Sequence, residues 1–323
     1  MTVRVISPGL ATSVQDLGRP GYYHIGIPEG GGMDRLATRI ANLLVGNEPG
    51  AALLEATFMG PELEFTQAAT VAVTGGELPP KVNGEEKPSW ESFEVKAGDR
   101  LSFGYLKGGA RAYIAISGGI DVPVVLGSRT TYVLGALGGF QGRVLKAGDE
   151  LPIGEGMGKA GKSLPAEYRR PAQAPAELRM LPGLYWHRVT EAAGKRFFEE
   201  TWKVAPEADR IGYRFKGGTP LDFVPREPPF GAGSDPSNIV DACYPYGSVQ
   251  VPSGTEPIVL HRDAVSGGGY MMVGVVISAD MDQIAQLQPH TPARFVEVTL
   301  DQALAARADS NAAQRRAEDY LVG

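Results

Sequence analysis

Cysteine is nearly absent from this chain, which has a single thiol, Cys243, among 323 residues. One cysteine excludes an intrachain disulfide. No candidate base lies near Cys243 in the sequence, so a catalytic thiolate is disfavoured and a small buried or interface thiol is expected. The four histidines are scattered and form no metal-binding motif, and no G-x-S-x-G motif suggests a serine hydrolase. Nothing in the sequence therefore calls for a metal.

The chain has no excess of positive charge: it has 31 Lys and Arg against 37 Asp and Glu, and its formal net charge is −6. A nucleic-acid surface needs clustered cations, so nucleic acid is not an expected partner. No apolar run approaches the ~20 residues that span a bilayer. Residues 1–8 lack a continuous apolar core and are broken by Pro8, so they predict a first strand and not a signal peptide. We expect a soluble, cytoplasmic protein with no membrane partner.

Glycine and proline, in contrast, are abundant, with 43 and 25 residues. That composition is typical of tight turns between short strands, and it predicts a mainly β fold with a few helices. The length suits two domains. Residues 154–176 hold almost no large apolar side chain, which predicts a linker. The predicted organisation is an N-terminal lobe over residues 1–154, a linker over 155–177, and a C-terminal lobe over 178–323 that ends in a helix.

The two halves of the chain show a faint internal similarity. Each has a predicted amphipathic helix, at residues 33–45 and 192–202, followed by a Gly-x-x-Leu-acid-Phe motif at residues 60–65 and 218–223. A duplication would give two similar β-barrel lobes that face each other across a cleft. Further predicted elements are strands at residues 112–117 and 270–278 and a surface helix at residues 299–321.

Residues 156–163 match the phosphate-loop pattern G-x-x-x-x-G-K-[ST] letter for letter. Such a loop works where a strand feeds a helix whose N-terminal N–H groups cradle phosphate. Here the preceding apolar piece is short, and Pro165 and Pro171 prevent a long helix from following. The sequence therefore favours a flexible linker at this position over a nucleotide site.

Polar residues are concentrated in three glycine-rich loops, over residues 15–35, 127–131 and 261–270. Glycine lets backbone N–H groups approach an anion closely, and an arginine fork fits a carboxylate or a phosphate. A carboxylate such as Asp263 beside a glycine nest could combine general-base catalysis with oxyanion stabilisation. The simpler interpretation stays open: hairpin turns with solvated charges, and an Asp263 that only caps a turn.

A series of short motifs runs through nearly the whole chain in a fixed order. They are VQDLGR at residues 14–19, GIP at 26–28, GMD at 32–34, ANLLVGN at 41–47, LE at 54–55, GP at 60–61, SGGI at 117–120, LGSR at 126–129, LGG at 137–139, GR at 142–143, DRIGYR at 209–214, QVP at 250–252, GGY at 268–270, ISAD at 277–280 and AQL at 285–287. As a set, they resemble the biotin-dependent carboxyltransferase family. That family includes the carboxyltransferase part of urea amidolyase, also called allophanate hydrolase subunit 2, and the C subunit of ATP-dependent 5-oxoprolinase, the KipA-like proteins.

The resemblance implies a fold of two cyclophilin-like β-barrel lobes with the active site between them. It implies a hydrolase that works with 5-oxoprolinase subunits A and B, which are KipI-like. Together these subunits would open the lactam of 5-oxoproline to glutamate, with consumption of ATP. An alternative within the family is a carboxyltransferase that moves a carboxyl group from carboxybiotin to urea or a related small amide. A third is a regulatory protein that binds a KipI-like partner without catalysis.

The resemblance also implies roles for particular residues. Expected catalytic groups are Asp34 and Asp263 as general bases, with His24 as acid or base. Expected substrate-binding residues are Arg19, Arg35, Gly118, Gly119, Ser128, Arg129, Asp209, Arg210, Gln250, Gly268, Gly269 and Tyr270. Among them, the three arginines Arg19, Arg35 and Arg129 would bind a carboxylate or an anionic intermediate. Backbone N–H groups near Gly118 and Gly268 would stabilise negative charge on the amide oxygen.

The chain departs from the family pattern at its third loop. Where the family has Asp-Arg-x-Thr-x-Gly-Gly-Tyr, this chain has Arg262 and Asp263 in the opposite order and three glycines before Tyr270. This difference indicates a subfamily with its own substrate. No methionine is followed by lysine, the biotin attachment signature that the resemblance implies. We therefore expect no cofactor on this chain itself, with ATP, or carboxybiotin in the alternative, handled by partner subunits.

Overall fold

The computed structural model describes residues 2–156, 158–170, 175–227 and 229–323. It divides into two compact units. Unit 1 comprises Met1–Arg19, Gly30–Arg170 and Ala312–Gly323, and unit 2 comprises Pro20–Glu29 and Pro171–Asn311. Both units are built mainly from strands, which confirms the predicted fold class.

Unit 1 contains two antiparallel sheets. Its strands are β1 (Thr2–Ser7), β2 (Ala11–Gln15), β3 (Leu53–Thr57), β4 (Glu62–Phe65), β5 (Ala69–Gly75), β6 (Pro80–Val82), β7 (Glu85–Glu86), β8 (Ser92–Val95), β9 (Arg100–Phe103), β10 (Arg111–Ile116) and β11 (Glu150–Pro152), and its helix is α1 (Arg35–Leu44). The sheet orders are β11-β1-β4-β9-β6-β7 and β2-β3-β10-β5-β8. The described strands of unit 1 thus form two sheets and not one closed barrel.

Strand β10 shows how the sequence builds this core. All six of its residues are buried, and alternate side chains point to opposite faces of a strand. Ala112, Ile114 and Ile116 join the apolar cluster between the strands, whereas Tyr113 and Ala115 belong to a second cluster with α1. The continuous apolar run predicted at residues 112–117 is therefore a central strand, covered on both faces.

Unit 2 is organised around a closed barrel. Its strands are β12 (Ala176–Pro182), β13 (Trp202–Val204), β14 (Gly212–Lys216), β15 (Asn238–Cys243), β16 (Ser248–Gln250), β17 (Ile258–Leu260), β18 (Gly267–Tyr270), β19 (Met272–Val276) and β20 (Pro292–Glu297), and its helices are α2 (Glu191–Glu199), α3 (Met281–Ile284) and α4 (Leu300–Val322), the last of which has its final turns in unit 1. Seven strands close the barrel in the order β12-β19-β16-β17-β14-β13-β20, and β15 pairs with β18 outside it.

Most predicted elements are confirmed, including the first strand, α1 and α4, and three details are wrong. Trp202 opens strand β13 instead of ending the helix, because α2 stops at Glu199. Residues 270–278 are not one strand, since β18 pairs with β15 whereas β19 pairs with β12 and β16. Residues 218–223 form only an isolated bridge between Val189 and Phe223, so the repeated motif is a strand at its first occurrence alone.

Two further expectations concern single segments. Cys243 is exposed, so the expectation of a buried thiol is wrong, and the interface thiol, the other expected alternative, stays a prediction. The phosphate-loop match and the predicted linker include residues 157 and 171–174, which lie outside the described residues. In the described part, Leu164 is buried and the Lys162 ammonium donates to the Leu321 carbonyl oxygen at 3.2 Å. Among the described helices, none has the length and apolar character needed to cross a membrane.

The aromatic cluster in unit 2 allows a direct test of its core. Phe197 on α2 is 1% exposed, and its ring centroid lies 4.8 Å from that of Phe295 and 5.5 Å from that of Trp202. We expect Phe197→Ala to lower the free energy of unfolding by about 3–5 kcal/mol, because it removes apolar burial and leaves a cavity. Urea denaturation measures this loss. Phe230→Ala, at a fully exposed ring, is the matched control and should change stability little.

Candidate functional site

Asp16 connects the first and second glycine-rich loops of unit 1. Its Oδ1 accepts hydrogen bonds from the Gly18 N–H and the Ser128 hydroxyl, both at 2.7 Å. Its Oδ2 accepts from the Arg129 N–H at 2.6 Å. The residue is only 8% exposed. Three donors to one buried carboxylate satisfy its charge and fix the position of Ser128 and Arg129.

The glycine loop before α1 is held by side chains from elsewhere in unit 1. The Gly31 N–H donates to Thr130 Oγ1 at 2.8 Å, and the Met33 N–H donates to Glu55 Oε2 at 2.8 Å. The Asp34 N–H donates to the Tyr113 hydroxyl oxygen at 2.7 Å. The loop is therefore pinned by three acceptors, each of which comes from a different strand or loop.

Asp34 itself caps helix α1. Its extended backbone and its Oδ1, which accepts from the Ala37 N–H at 3.0 Å, are those of an N-cap residue. Four apolar residues of α1 at helical spacing are buried beneath it: Ala37, Ile40, Ala41 and Leu44. The carboxylate predicted as a general base is thus engaged in starting the helix.

The three predicted anion-binding arginines have different surroundings. Arg19 is fully buried and donates to the Thr130 carbonyl oxygen, and Arg35 donates to the Leu17 carbonyl oxygen at 2.7 Å. Arg129 donates from Nε to the Val122 carbonyl oxygen at 2.7 Å and from Nη2 to Asp121 Oδ1 at 3.1 Å, and its side chain is 37% exposed. Arg19 and Arg35 therefore tie loops together, whereas Arg129 holds an exposed carboxylate and is itself partly accessible to solvent.

Glycine is required where this network is most crowded. Gly138 has a φ of +68°, and a Cβ there would lie 2.2 Å from the Thr130 carbonyl oxygen and 2.5 Å from Arg19 Nη2. A side chain at this position would displace the backbone that receives Arg19. The LGG motif at residues 137–139 is thereby explained by close packing.

Charged groups are buried behind the loop. Glu55 and Arg111 have side chains only 1% and 3% exposed, with 3.8 Å between Oε1 and Nε. Burial, followed by the charges of Glu55 and Asp34, raises the pKa of Tyr113 well above its ordinary value. The Tyr113 phenol is therefore neutral at physiological pH and is available to the Asp34 N–H as an acceptor.

Gly118 and Gly119 lie away from this network. The Gly118 N–H donates to Asn47 Oδ1 at 2.8 Å, and the Gly119 N–H donates to the Ile116 carbonyl oxygen at 2.9 Å. Both residues have positive φ. Oxyanion stabilisation by these two amides would require these bonds to open, because each N–H has an acceptor already.

Unit 2 brings a second group of predicted residues together. Arg210 donates from Nε and Nη2 to the two oxygens of Asp263 at 2.8 and 3.0 Å, a bidentate pair. Asp209 accepts from the Ile211 and Gly212 N–H groups and shapes the turn before β14. Each Asp263 oxygen accepts one hydrogen bond from Arg210, which fixes the orientation of the carboxylate and leaves each oxygen a second lone pair.

The third loop and His24 complete the predicted set. Gly268 and Tyr270 lie in β18, and the Tyr270 N–H donates to the Tyr244 hydroxyl at 2.8 Å. Gln250 also hydrogen-bonds the Tyr244 hydroxyl, whose pKa is raised by burial. His24 lies exposed in a short 3₁₀ turn, Tyr23–Ile25, and the hydroxyl of its neighbour Tyr23 donates to the Tyr244 carbonyl oxygen. Tyr244 therefore connects these segments within unit 2.

An apolar cavity of about 460 Å³ lies in unit 1, and none of the predicted site residues lines it. Its walls include Val122, Val125, Leu137, Phe140 and Pro152. Over the described residues, no three His, Cys, Asp or Glu side chains are placed to hold a metal ion.

Several residues of the site were missed by sequence reasoning. They are Glu55, Tyr113 and Tyr244, together with the structural role of Asp16. Asp16 and Glu55 lie inside the ordered motifs, so a signal existed for them. Tyr113 gave no separate signal, because an aromatic residue within a buried strand is ordinarily part of the core.

Comparison with known proteins assigns the family. Residues 25–297 match the family model described as carboxyltransferase domain, subdomain A and B. The chain therefore belongs to this family, and the family resemblance is confirmed.

Individual relatives make the assignment more specific. The chain is 36% identical to the C subunit of the 5-oxoprolinase of Escherichia coli (strain K12) over 307 residues, which are 95% of this chain and 94% of that protein. It is also 36% identical to the urea amidolyase of Lachancea kluyveri, over 98% of this chain but 18% of that protein. The crystal structure of the K. lactis urea amidolyase matches with a TM-score of 0.90 at 33% identity, over 97% of this chain and 20% of that chain. The chain thus spans about a fifth of the urea amidolyases that it matches.

The bond between Asp34 and Tyr113 can be tested with Tyr113→Phe. We expect the free energy of unfolding to fall by about 1–3 kcal/mol, because the variant leaves the buried Asp34 N–H without an acceptor. Denaturation in urea measures the change, with Tyr105→Phe at a 94% exposed ring as control. The difference should shrink as the pH rises above 10.0, the ordinary pKa, since the unfolded phenol ionises there while the folded one stays neutral. An unchanged stability would contradict the role of this bond.

Proposed function

We propose that this chain is the C subunit of a cytoplasmic, ATP-dependent 5-oxoprolinase, active only with partner subunits A and B. The complex would open the 5-oxoproline lactam to L-glutamate. The observation that carries the proposal is the extent of the match to the E. coli protein, which covers nearly all of both chains. Identity alone does not discriminate, because the urea amidolyase has the same percentage over a small part of its length.

The accessible arginine of unit 1 suits this reaction. Opening a lactam places negative charge on the amide oxygen and forms a new carboxylate, and a positioned cation stabilises both. Arg129 meets this requirement, because Asp16 fixes its backbone while its side chain remains 37% exposed. Arg19 and Arg35, which donate to backbone carbonyl oxygens, would keep the loops in place around the substrate.

The residues proposed for proton transfer differ in their exposure and in the hydrogen bonds that they already make. His24 is exposed and can meet a substrate directly, so it is the proposed general acid or base. Asp263 would orient the third loop through its bidentate pair with Arg210, and the second lone pair of each of its oxygens could accept a substrate proton. Asp34 would contribute indirectly, because its carboxylate caps the N-terminus of α1. In this proposal the chain holds no cofactor itself, and ATP is used by the complex.

A carboxyltransferase for urea or a related amide is the second candidate. The family description names a carboxyltransferase, and the structural match to the K. lactis urea amidolyase covers nearly the whole chain. In that case carboxybiotin would come from a partner polypeptide. The two candidates differ in a measurable way, because only the second depends on biotin.

The first test is an assay of the chain purified together with the products of its neighbouring genes. We expect ATP-dependent release of glutamate from 5-oxoproline, insensitive to avidin and lost when this chain is omitted. Avidin-sensitive carboxylation of urea or another amide, without glutamate release, would replace the first proposal with the second. A stable complex with no turnover of either kind would indicate a regulatory binding protein.

Variants of the complex test the assigned residues. Arg129→Ala and Asp263→Ala should each lower kcat/KM for 5-oxoproline by about tenfold or more, the effect of losing one hydrogen bond to a charged group. Arg100→Ala is the control, because this arginine is 54% exposed and pairs only with surface glutamates of the sheet. Circular dichroism confirms that each variant is folded. Near-normal rates for both variants would remove these two residues from the proposed site.

A further inference from the structure

Arg262 has unusual surroundings for an arginine of unit 2. It lies between β17 and β18 and is only 5% exposed. Its Nε is buried and has no hydrogen-bond partner among the described residues. Its contacts are the ring of Tyr246, whose centroid is 4.2 Å from Cζ, and Glu29, whose Oε2 is 3.7 Å from Nη1. A guanidinium, with its five N–H groups, is thus buried here beside an aromatic face and a distant carboxylate.

The nearest acids do not neutralise this cation well. Asp263 is adjacent in sequence, yet both of its oxygens accept from Arg210 at 2.8 and 3.0 Å. Glu29 is 44% exposed, and its 3.7 Å separation from Arg262 is too long for a hydrogen bond. Two arginines, Arg210 from the turn before β14 and Arg262 from this loop, therefore lie near one closely bound carboxylate, and Arg262 has only a loose, partly exposed counter-ion.

A buried guanidinium N–H without an acceptor, such as that of Arg262 Nε, is unfavourable, and a carboxylate placed against it removes this cost. The planar fork of arginine presents parallel N–H donors that match the two oxygens of a carboxylate. Stacking on Tyr246 holds the guanidinium plane without using any of those donors. These features are the properties of a preorganised carboxylate receptor.

We infer that Arg262 binds the carboxylate of a small-molecule ligand, with Tyr246 as its stacking surface and Glu29 as the counter-ion that the ligand displaces. The inference rests on the proposed function and refines it: the substrate is an amide that carries a carboxylate, such as 5-oxoproline, and not a neutral amide such as urea. The order of Arg262 and Asp263, opposite to the family pattern, is explained if this arginine selects the substrate.

The test follows the Nε–H resonance of Arg262 in the nitrogen-15-labelled full chain, assigned by its loss in Arg262→Lys. The chain is titrated with L-5-oxoproline, with 2-pyrrolidinone, which is the same lactam without the carboxylate, and with acetate, which is a carboxylate without the lactam. We expect saturable shifts with 5-oxoproline and acetate and none with 2-pyrrolidinone. Shifts with neither carboxylate, or equal shifts with 2-pyrrolidinone, would overturn the inference.

The same titrations separate this inference from the proposed function. A shift with acetate but none with 5-oxoproline would support the carboxylate receptor and count against 5-oxoproline as the substrate. If the assembled complex releases no glutamate from 5-oxoproline while acetate still shifts the Arg262 resonance, the carboxylate receptor is likewise supported and 5-oxoproline is likewise excluded as the substrate. A complex that releases glutamate, although neither carboxylate shifts the Arg262 resonance, would support the proposed 5-oxoprolinase function and overturn the assignment of Arg262 as a carboxylate receptor.

Variants give a second readout by calorimetry. Arg262→Gln should weaken 5-oxoproline binding by about tenfold or more, because a hydrogen-bonded charge pair is lost, and should leave 2-pyrrolidinone binding unchanged. Glu29→Gln should strengthen carboxylate binding, because it removes the competing anion. Arg294→Gln is the matched control, since Arg294 is also an arginine of unit 2 whose Nε has no hydrogen-bond partner among the described residues. Equal discrimination between the two lactams by wild type and Arg262→Gln would contradict the assignment.

Discussion

The polar loops of unit 1 depend on one buried carboxylate, that of Asp16. Its two oxygens accept from Gly18, Ser128 and Arg129, segments that are far apart in the sequence. Because a buried carboxylate must be satisfied by hydrogen bonds, this single group determines the relative position of both loops. The guanidinium of Arg129 owes its place to that constraint and to its own hydrogen bond from Nε to the carbonyl oxygen of the buried Val122.

Arginine serves two physical roles in this protein. Arg19, Arg35 and Arg210 are used on backbone carbonyl oxygens or on a carboxylate of the chain, so they hold loops. Arg129 also bonds a backbone carbonyl oxygen and a carboxylate but is 37% exposed, and Arg262 is buried beside a loose counter-ion, so these two are the arginines proposed to meet a ligand. Residue type alone does not separate these roles, because the partner of each guanidinium comes from a distant segment.

Local patterns predicted the elements well where one face or one period dominates. Helix α1 shows apolar spacing of i, i+3, i+4 and i+7 after an N-cap residue, and β10 is a continuous apolar run. Prediction failed where pairing partners decide the structure. The run over residues 270–278 looks continuous, yet its first part pairs with β15 and its second part with the barrel. The second Gly-x-x-Leu-acid-Phe motif likewise has the letters of a strand, yet it forms only a single bridge, between Phe223 and Val189.

The sequence by itself determined the mainly β class, the family and the loops that carry the polar residues, because composition, periodicity and short ordered motifs are local properties. Only the tertiary structure decided which charged side chains are engaged in hydrogen bonds or ion pairs within the chain. Asp34 caps a helix, Asp263 is held by Arg210, and Arg262 is buried with a loose counter-ion. A charged side chain acquires its function from what surrounds it, and those surroundings are set by segments that meet only when the chain folds.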